Sequence, residues 1–149
     1  MNNISSVATK LRAVSYILVA EDDLDDQELI RDALTENNLT LDKIKFAQDG
    51  EELISVLNSA EVLPNLILLD LNMPRKSGRE ALAEIKQDPR LKHIPVIIFT
   101  TSDSEIDIKE CYFLGSNAYL TKPNNYFDLV ALMKDLINFW FCQAQMVID

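Results

Sequence analysis

Carboxylates, hydroxyls and one ammonium stand where short apolar runs stop. Glu21-Asp22-Asp23 follows Tyr16–Ala20, Asp70 follows Leu66–Leu69, Thr100-Thr101 follows Val96–Phe99, and Lys122 precedes Pro123 after Ala118–Thr121. Clustered carboxylates raise one another's pKa unless a cation offsets them. An unpaired carboxylate between Leu69 and Leu71 costs roughly several kcal/mol. A divalent cation with oxygen ligands removes both costs, and Mg²⁺ suits a site of few carboxylates and several waters. One ammonium and one Mg²⁺ beside a carboxylate neutralise a transferring phosphoryl group, and a nearby hydroxyl can hydrogen-bond it. Glu21, Asp22, Asp70, Thr100 and Lys122 are therefore the candidate site. Pro123 stiffens the turn that aims Lys122 back over the strand ends, where its ammonium is expected to face the phosphoryl group rather than the carboxylates. Asp23, Asp25 and Asp26 take the plainer reading, as carboxylates in a first helical turn favoured by the helix dipole. His93, the sole histidine, lies in a loop at the opposite edge and is given no role.

These positions form a site only if a fold gathers them. Besides the four runs above there is a fifth, Lys43–Ala47, and all but this one are nearly continuous in apolar character, as parallel strands covered on both faces are. Between the runs lie helical stripes: Leu29, Ile30, Ala33 and Leu34, then Leu53, Ile54 and Leu57, then Ala81, Leu82 and Ile85. Ser77-x-x-Glu80 and Ser102-x-x-Glu105 read as capping boxes, and Gly115 as a helix stop. Five strands alternating with five helices predict an α/β fold, a (βα)₅ doubly wound domain on a parallel five-stranded sheet. Ligands of such sheets bind outside the carboxyl ends of the strands, where all the candidate residues fall.

Residues 1–15 read as an N-terminal arm with apolar Ile4, Val7 and Leu11, and residues 16–149 as one domain including an extended last helix. Apolar residues of that helix cover an arc of roughly 240°, against the ~100° that packing on one sheet requires. Tyr126, Val130, Met133, Ile137 and Trp140 are expected to face the sheet. Leu129, Leu132, Leu136 and Phe139 are then left for a second copy, giving a homodimer; the competing expectation is that the arm folds over this stripe.

A chain that is 48% hydrophobic and 26% charged has the balance of a globular domain, which excludes disorder as a description of the whole. Its net charge of −10 repels phosphate backbones and anionic lipid, so neither nucleic acid nor membrane is an expected partner. Cys111 and Cys142 form neither a disulfide framework nor a zinc motif. No apolar run spans a bilayer, and Lys10 and Arg12 before Ala13–Ala20 make a poor signal peptide because acids follow at once. The expected compartment is cytoplasmic.

Leu18-Val-Ala-Glu21-Asp22-Asp23, Leu68-Leu-Asp70-Leu-Asn-Met-Pro74, Gly78, Pro95-Val-Ile-Ile-Phe-Thr100-Thr101, Gly115 and Tyr119-Leu-Thr-Lys122-Pro123 together resemble the receiver domain of two-component response regulators. The resemblance runs from about Tyr16 to Trp140 and implies a flavodoxin-like strand order, 2-1-3-4-5. It implies that Asp70 is the phosphoacceptor and that Asp22 is the main carboxylate ligand of Mg²⁺. Glu21 would act through metal-bound water and Asn72 through its backbone carbonyl. Thr100 and Lys122 would contact the phosphoryl oxygens, and Tyr119 would follow Thr100 as the switch aromatic. Thr101 stands where a smaller residue is frequent, which narrows access to the site. Thr100-Thr101-Ser102, the segment Gly78–Lys86 and Phe139-Trp140 are similar to stand-alone receivers paired with phytochrome-type histidine kinases.

The function this implies is a single-domain response regulator of a phosphorelay, a switch rather than an enzyme. It would take a phosphoryl group from a histidine kinase or phosphotransfer protein, pass the signal to a protein target that the sequence does not name, and carry no DNA-binding module. The alternative is a Mg²⁺-dependent phosphohydrolase of the haloacid-dehalogenase type. That chemistry needs a second acid two residues after the nucleophile, where this chain has Asn72.

Overall fold

The computed structural model describes residues 3–147. Five parallel strands, β1 (Ile17–Ala20), β2 (Ile44–Ala47), β3 (Leu66–Leu69), β4 (Val96–Thr100) and β5 (Ala118–Thr121), form one sheet in the order β2-β1-β3-β4-β5. Six α-helices flank it: α1 (Asn3–Arg12), α2 (Leu24–Glu36), α3 (Gly50–Ser59), α4 (Gly78–Gln87), α5 (Glu105–Leu114) and α6 (Tyr126–Ile137). A π-helical turn, Asn138–Gln143, extends the last.

Strand side chains alternate between faces, and the two cores follow that period. Leu18, Ala20, Ile67, Leu69, Val96 and Ile98 pack with α3, α4 and α5. Ile17, Val19, Leu66, Leu68, Ile97 and Phe99 pack with α1, α2 and α6. Each fully buried Leu or Ile contributes about 1.5–3 kcal/mol, so these runs fix the register of the sheet. The central strands β1, β3 and β4 are buried along their whole length. In β5, by contrast, Ala118, Tyr119 and Leu120 are half-buried, because an edge strand has a neighbour on one side only.

Local signals set the helix ends. Ser77 and Glu80 make the expected reciprocal cap of α4, and Gly115 closes α5 in the left-handed conformation, at φ 109°. The cap expected at Ser102 moves two residues on. Ser104 caps α5 by accepting from Asp107 N, while the Ser102 hydroxyl donates to the Asp107 carboxylate at 2.5 Å.

The last helix differs from its sequence reading. Leu129 and Leu136, expected on the outer stripe, are buried in the second core with Met133, Ile137 and Phe141, and Leu132 packs half-buried against them. Tyr126, expected against the sheet, is exposed, as are Phe127 and Phe139. Helix α1 and the residues just after it supply the missing cover. Leu11 and Val14 are buried in the same core, and Val7 packs partly against it. The Ile4 side chain lies outside the described residues. Two ammonium groups fasten this helix: Lys10 Nζ donates to Cys142 O at 2.7 Å, and Lys43 Nζ donates to the carbonyls of Arg12 and Val14 at its C-terminus.

Candidate functional site

At the carboxyl end of β1, Glu21 N continues the ladder by donating to Ala47 O, and Asp70 N, one strand over, donates to Ala20 O at 3.1 Å. The ladder thus sets Glu21 and Asp70 side by side. Oxygen atoms of Glu21, Asp22 and Asp70 lie within 4.8 Å of one another. Glu21 and Asp70 are buried and Asp22 is exposed.

Each buried carboxylate is held by named donors. Asp70 Oδ2 accepts from Lys122 Nζ at 2.9 Å, and Oδ1 accepts from Asn72 N at 3.2 Å. Glu21 Oε2 accepts from Asp23 N at 3.1 Å, and Oε1 accepts from Lys122. Lys122 is placed by its own backbone N–H, which donates to Thr100 O at 2.7 Å. Its third carboxylate partner is Asp26, at 3.1 Å. The ammonium is thus enclosed by carboxylates instead of facing away from them, a correction to the sequence reading. A largely buried ammonium needs compensating charge, and the two buried carboxylates at the neighbouring strand ends supply it.

Burial pushes the Glu21 carboxyl up to about 7, against the pull of Lys122. Burial also disfavours the charged Lys122, but the hydrogen bonds it donates to Glu21 and Asp70 outweigh it and raise its pKa, so the ammonium stays protonated. Glu21, Asp22 and Asp70 together carry more negative charge than the one ammonium of Lys122, which contacts only the two buried ones, offsets. That all-oxygen, acidic donor set fits a hard divalent cation.

Thr100 lies at the end of β4, fully buried, and among the described residues its Oγ1 has no hydrogen-bond partner. A buried hydroxyl without a partner costs about 1–3 kcal/mol, so a group arriving at the strand ends gains by satisfying it. Tyr119, on neighbouring β5, donates its hydroxyl to Ser102 O at 2.9 Å. Ser102 in turn donates to Asp107, which pairs with Arg79 on α4. One polar chain therefore joins the loop after Thr100 to both α4 and α5.

The loop from Asp70 to α4 is held by backbone contact. Gly78 N donates to Leu71 O at 3.1 Å, and a Cβ on Gly78 would stand 2.1 Å from Asp70 O. No side chain larger than hydrogen fits there without moving the loop that carries Asp70.

The family model described as the response regulator receiver domain matches residues 17–134. The chain belongs to this family. As a receiver it has the acidic pocket at which the family binds Mg²⁺ or Mn²⁺, and the haloacid-dehalogenase alternative has no support. The receiver is 42% identical over 129 residues to response regulator Rcp1 of Synechocystis sp., covering 83% of this chain and 87% of that protein. It is 34% identical over 128 residues to the probable methanogenesis regulatory protein FilR2 of Methanothrix harundinacea, covering 83% and 82% of the two chains. Among solved structures it is similar to the phosphorylated cyanobacterial phytochrome response regulator RcpA, with TM-score 0.85 and 39% identity over 91% of this chain and 100% of that one. The Mn²⁺-bound form of Rcp1 gives TM-score 0.77 and 38% identity over 90% and 99%.

The receiver fold brings Glu21, Asp22, Asp70 and Lys122 together and leaves Thr100 and Tyr119 on the adjoining strands. Two contributors escaped the sequence reading. Asp26, by its sequence position a first-turn acid favoured by the helix dipole, reaches Lys122 across the strand ends. Gln27, buried, donates Nε2 to Glu21 O at 2.6 Å. The available signal was its position: Gln27 lies on the stripe of Ile30 and Leu34, and a polar residue there needs a partner. Among the described residues no helix is long and apolar enough to cross a membrane.

Proposed function

We propose that this receiver is a phosphorylatable switch that takes a phosphoryl group on Asp70 from the phosphohistidine of a histidine kinase or phosphotransfer protein. The observation that carries the reading is the Asp70 carboxylate, buried and aimed between the Lys122 ammonium and the Asn72 N–H within a cluster of acids. The likeness to RcpA, described as a phytochrome response regulator, supports a phytochrome-type kinase as the donor. In the same reading the protein is cytoplasmic, its partners are proteins rather than nucleic acid, and it turns over no external substrate.

In the transfer, an Asp70 oxygen attacks phosphorus in line while the P–N bond to the donor imidazole breaks and the imidazole leaves with that electron pair. Asp22, Asp70 and the Asn72 carbonyl would hold Mg²⁺, with Glu21 bound through water, and the ion would neutralise charge on the phosphoryl oxygens. Lys122 turns one N–H from Asp70 to a phosphoryl oxygen, and the Asn72 N–H keeps the carboxylate oriented. The unpartnered Thr100 hydroxyl swings to another phosphoryl oxygen, and Tyr119 moves into the space it vacates. That movement breaks the Tyr119–Ser102 hydrogen bond, so a local charge change biases the outer face of α5 and β5.

Intact-mass measurement after incubation with a small-molecule phosphodonor tests the reading. The wild type should gain one phosphoryl group in Mg²⁺ and none in EDTA, and Asp70→Asn should gain none. Equal incorporation by both proteins would refute it.

A further inference from the structure

We infer that Asp26 is a positioning residue for Lys122, the anchor that keeps its ammonium at the strand ends when its other two carboxylate partners are claimed. The inference rests on the proposed role of the acidic cluster and extends it to a residue outside that cluster. Lys122 Nζ has three N–H donors and three carboxylate partners: Glu21, Asp26 and Asp70. Two of them, Glu21 and Asp70, also belong to the group of acids that can share a cation. Asp26 does not. Whatever cation or phosphoryl group enters the cluster competes with Lys122 for Glu21 and Asp70 but leaves Asp26 alone.

The geometry separates the three acids in a second way. The Glu21 and Asp70 side chains are 2% and 8% exposed, whereas Asp26 is 40% exposed and sits at the rim. Its place there is fixed by the fold: Asp23 caps α2 by accepting from Asp26 N at 3.0 Å, so the first turn of α2 presents Asp26 over the lysine. A long lysine side chain whose head loses both buried partners would otherwise gain rotamer freedom and leave for solvent. One retained ion pair at the rim prevents this while the N–H given up by Asp70 turns to a phosphoryl oxygen. Asp26 thus acts through Lys122 and touches no reacting atom.

Two measurements on the full chain test this. The first does not depend on phosphorylation. Urea midpoints of wild type, Asp26→Asn, Lys122→Met and the double variant are compared in saturating Mg²⁺. The two substitutions should be non-additive there, the Asp26→Asn shift shrinking by at least half when Lys122 is absent. Additive shifts in Mg²⁺ would overturn the inference, whether or not Asp70 accepts a phosphoryl group. The second is the rate of phosphorylation by a small-molecule donor. Asp26→Asn should slow it three- to tenfold with no more than a twofold change in Mg²⁺ Kd. In the Lys122→Met background the same substitution should have no effect, and Asp26→Glu should restore part of the rate. An equal loss in both backgrounds would make Asp26 merely structural. Absence of phosphorylation in the wild type would instead refute the proposed function, leaving the first measurement to decide the inference.

Discussion

Replacing Lys122 by alanine removes the cation that two buried carboxylates share. The Lys122 side chain is 12% exposed, and its partners Glu21 and Asp70 are 2% and 8% exposed. Breaking a buried pair from one side costs about 3–5 kcal/mol, because the remaining charge is stranded. The lower end applies here, since Glu21 with its carboxyl near 7 escapes part of the cost by taking up a proton. About 3 kcal/mol in a domain of this size lowers Tm by roughly 6–12 °C. The assay is denaturation of wild type and Lys122→Ala in EDTA and again in saturating Mg²⁺. An ion held at 100 times its Kd adds about 2.7 kcal/mol to the wild type. The variant should gain more, because the ion replaces the missing positive charge and no lysine competes with it. The gap between the two proteins should therefore narrow in Mg²⁺. A gap below about 1 kcal/mol in EDTA, the size of a surface pair, or an equal gap in both buffers would refute the reasoning.

Three further outcomes are expected. Gly78→Ala forces a methyl against the Asp70 carbonyl and should cost about 1–3 kcal/mol or more while lowering Mg²⁺ affinity, read by denaturation and calorimetry; an unchanged loop would contradict the close approach. Leu11→Ala should cost about 2–5 kcal/mol in a urea titration, since this side chain is 4% exposed within the second core, and a change under about 1 kcal/mol would mean α1 adds little. If the last helix self-associates, it does so through Phe127 and Phe139, which are 82% and 55% exposed, and not through buried Leu136. Light scattering should then show a dimer for wild type and a monomer for Phe127→Glu with Phe139→Glu, and a wild type monomeric at every concentration would end that reading.

The parts of this structure that were legible beforehand are those governed by repeating physical patterns. Continuous apolar runs marked β1, β3 and β4 because each must be covered on two faces. The carboxyl-end rule then led to Glu21, Asp22, Asp70, Thr100 and Lys122 from dispersed positions. Contacts decided by the folded shape were hidden. The reach of Asp26 to Lys122 spans 96 residues, and nothing in the first turn of α2 announces it. The last helix divided its expectations because an apolar arc too wide for the sheet can be covered by a second copy or by the N-terminal arm, and the arc alone does not choose between them. In the structure α1 covers it as well, and that shifts which side chains lie inside.

The fastening of the loops around Asp70 has a mechanical consequence. Asp70, Gly78 and Gly50 donate backbone N–H groups to Ala20, Leu71 and Lys76, so residues 70–78 are tied to rigid neighbours at both ends. Across the sheet, residues 101–104 meet β5 and α5 by way of the Tyr119 and Ser102 hydroxyls and the Asp107 carboxylate. The first region acts as a fulcrum and the second as the arm. In the proposed switch, stress from a new charge on Asp70 would find little compliance where it arises and would be discharged where the restraints are individually weak. Such a division would let the surface at residues 101–104 be re-lettered for a new partner without disturbing the residues around Asp70.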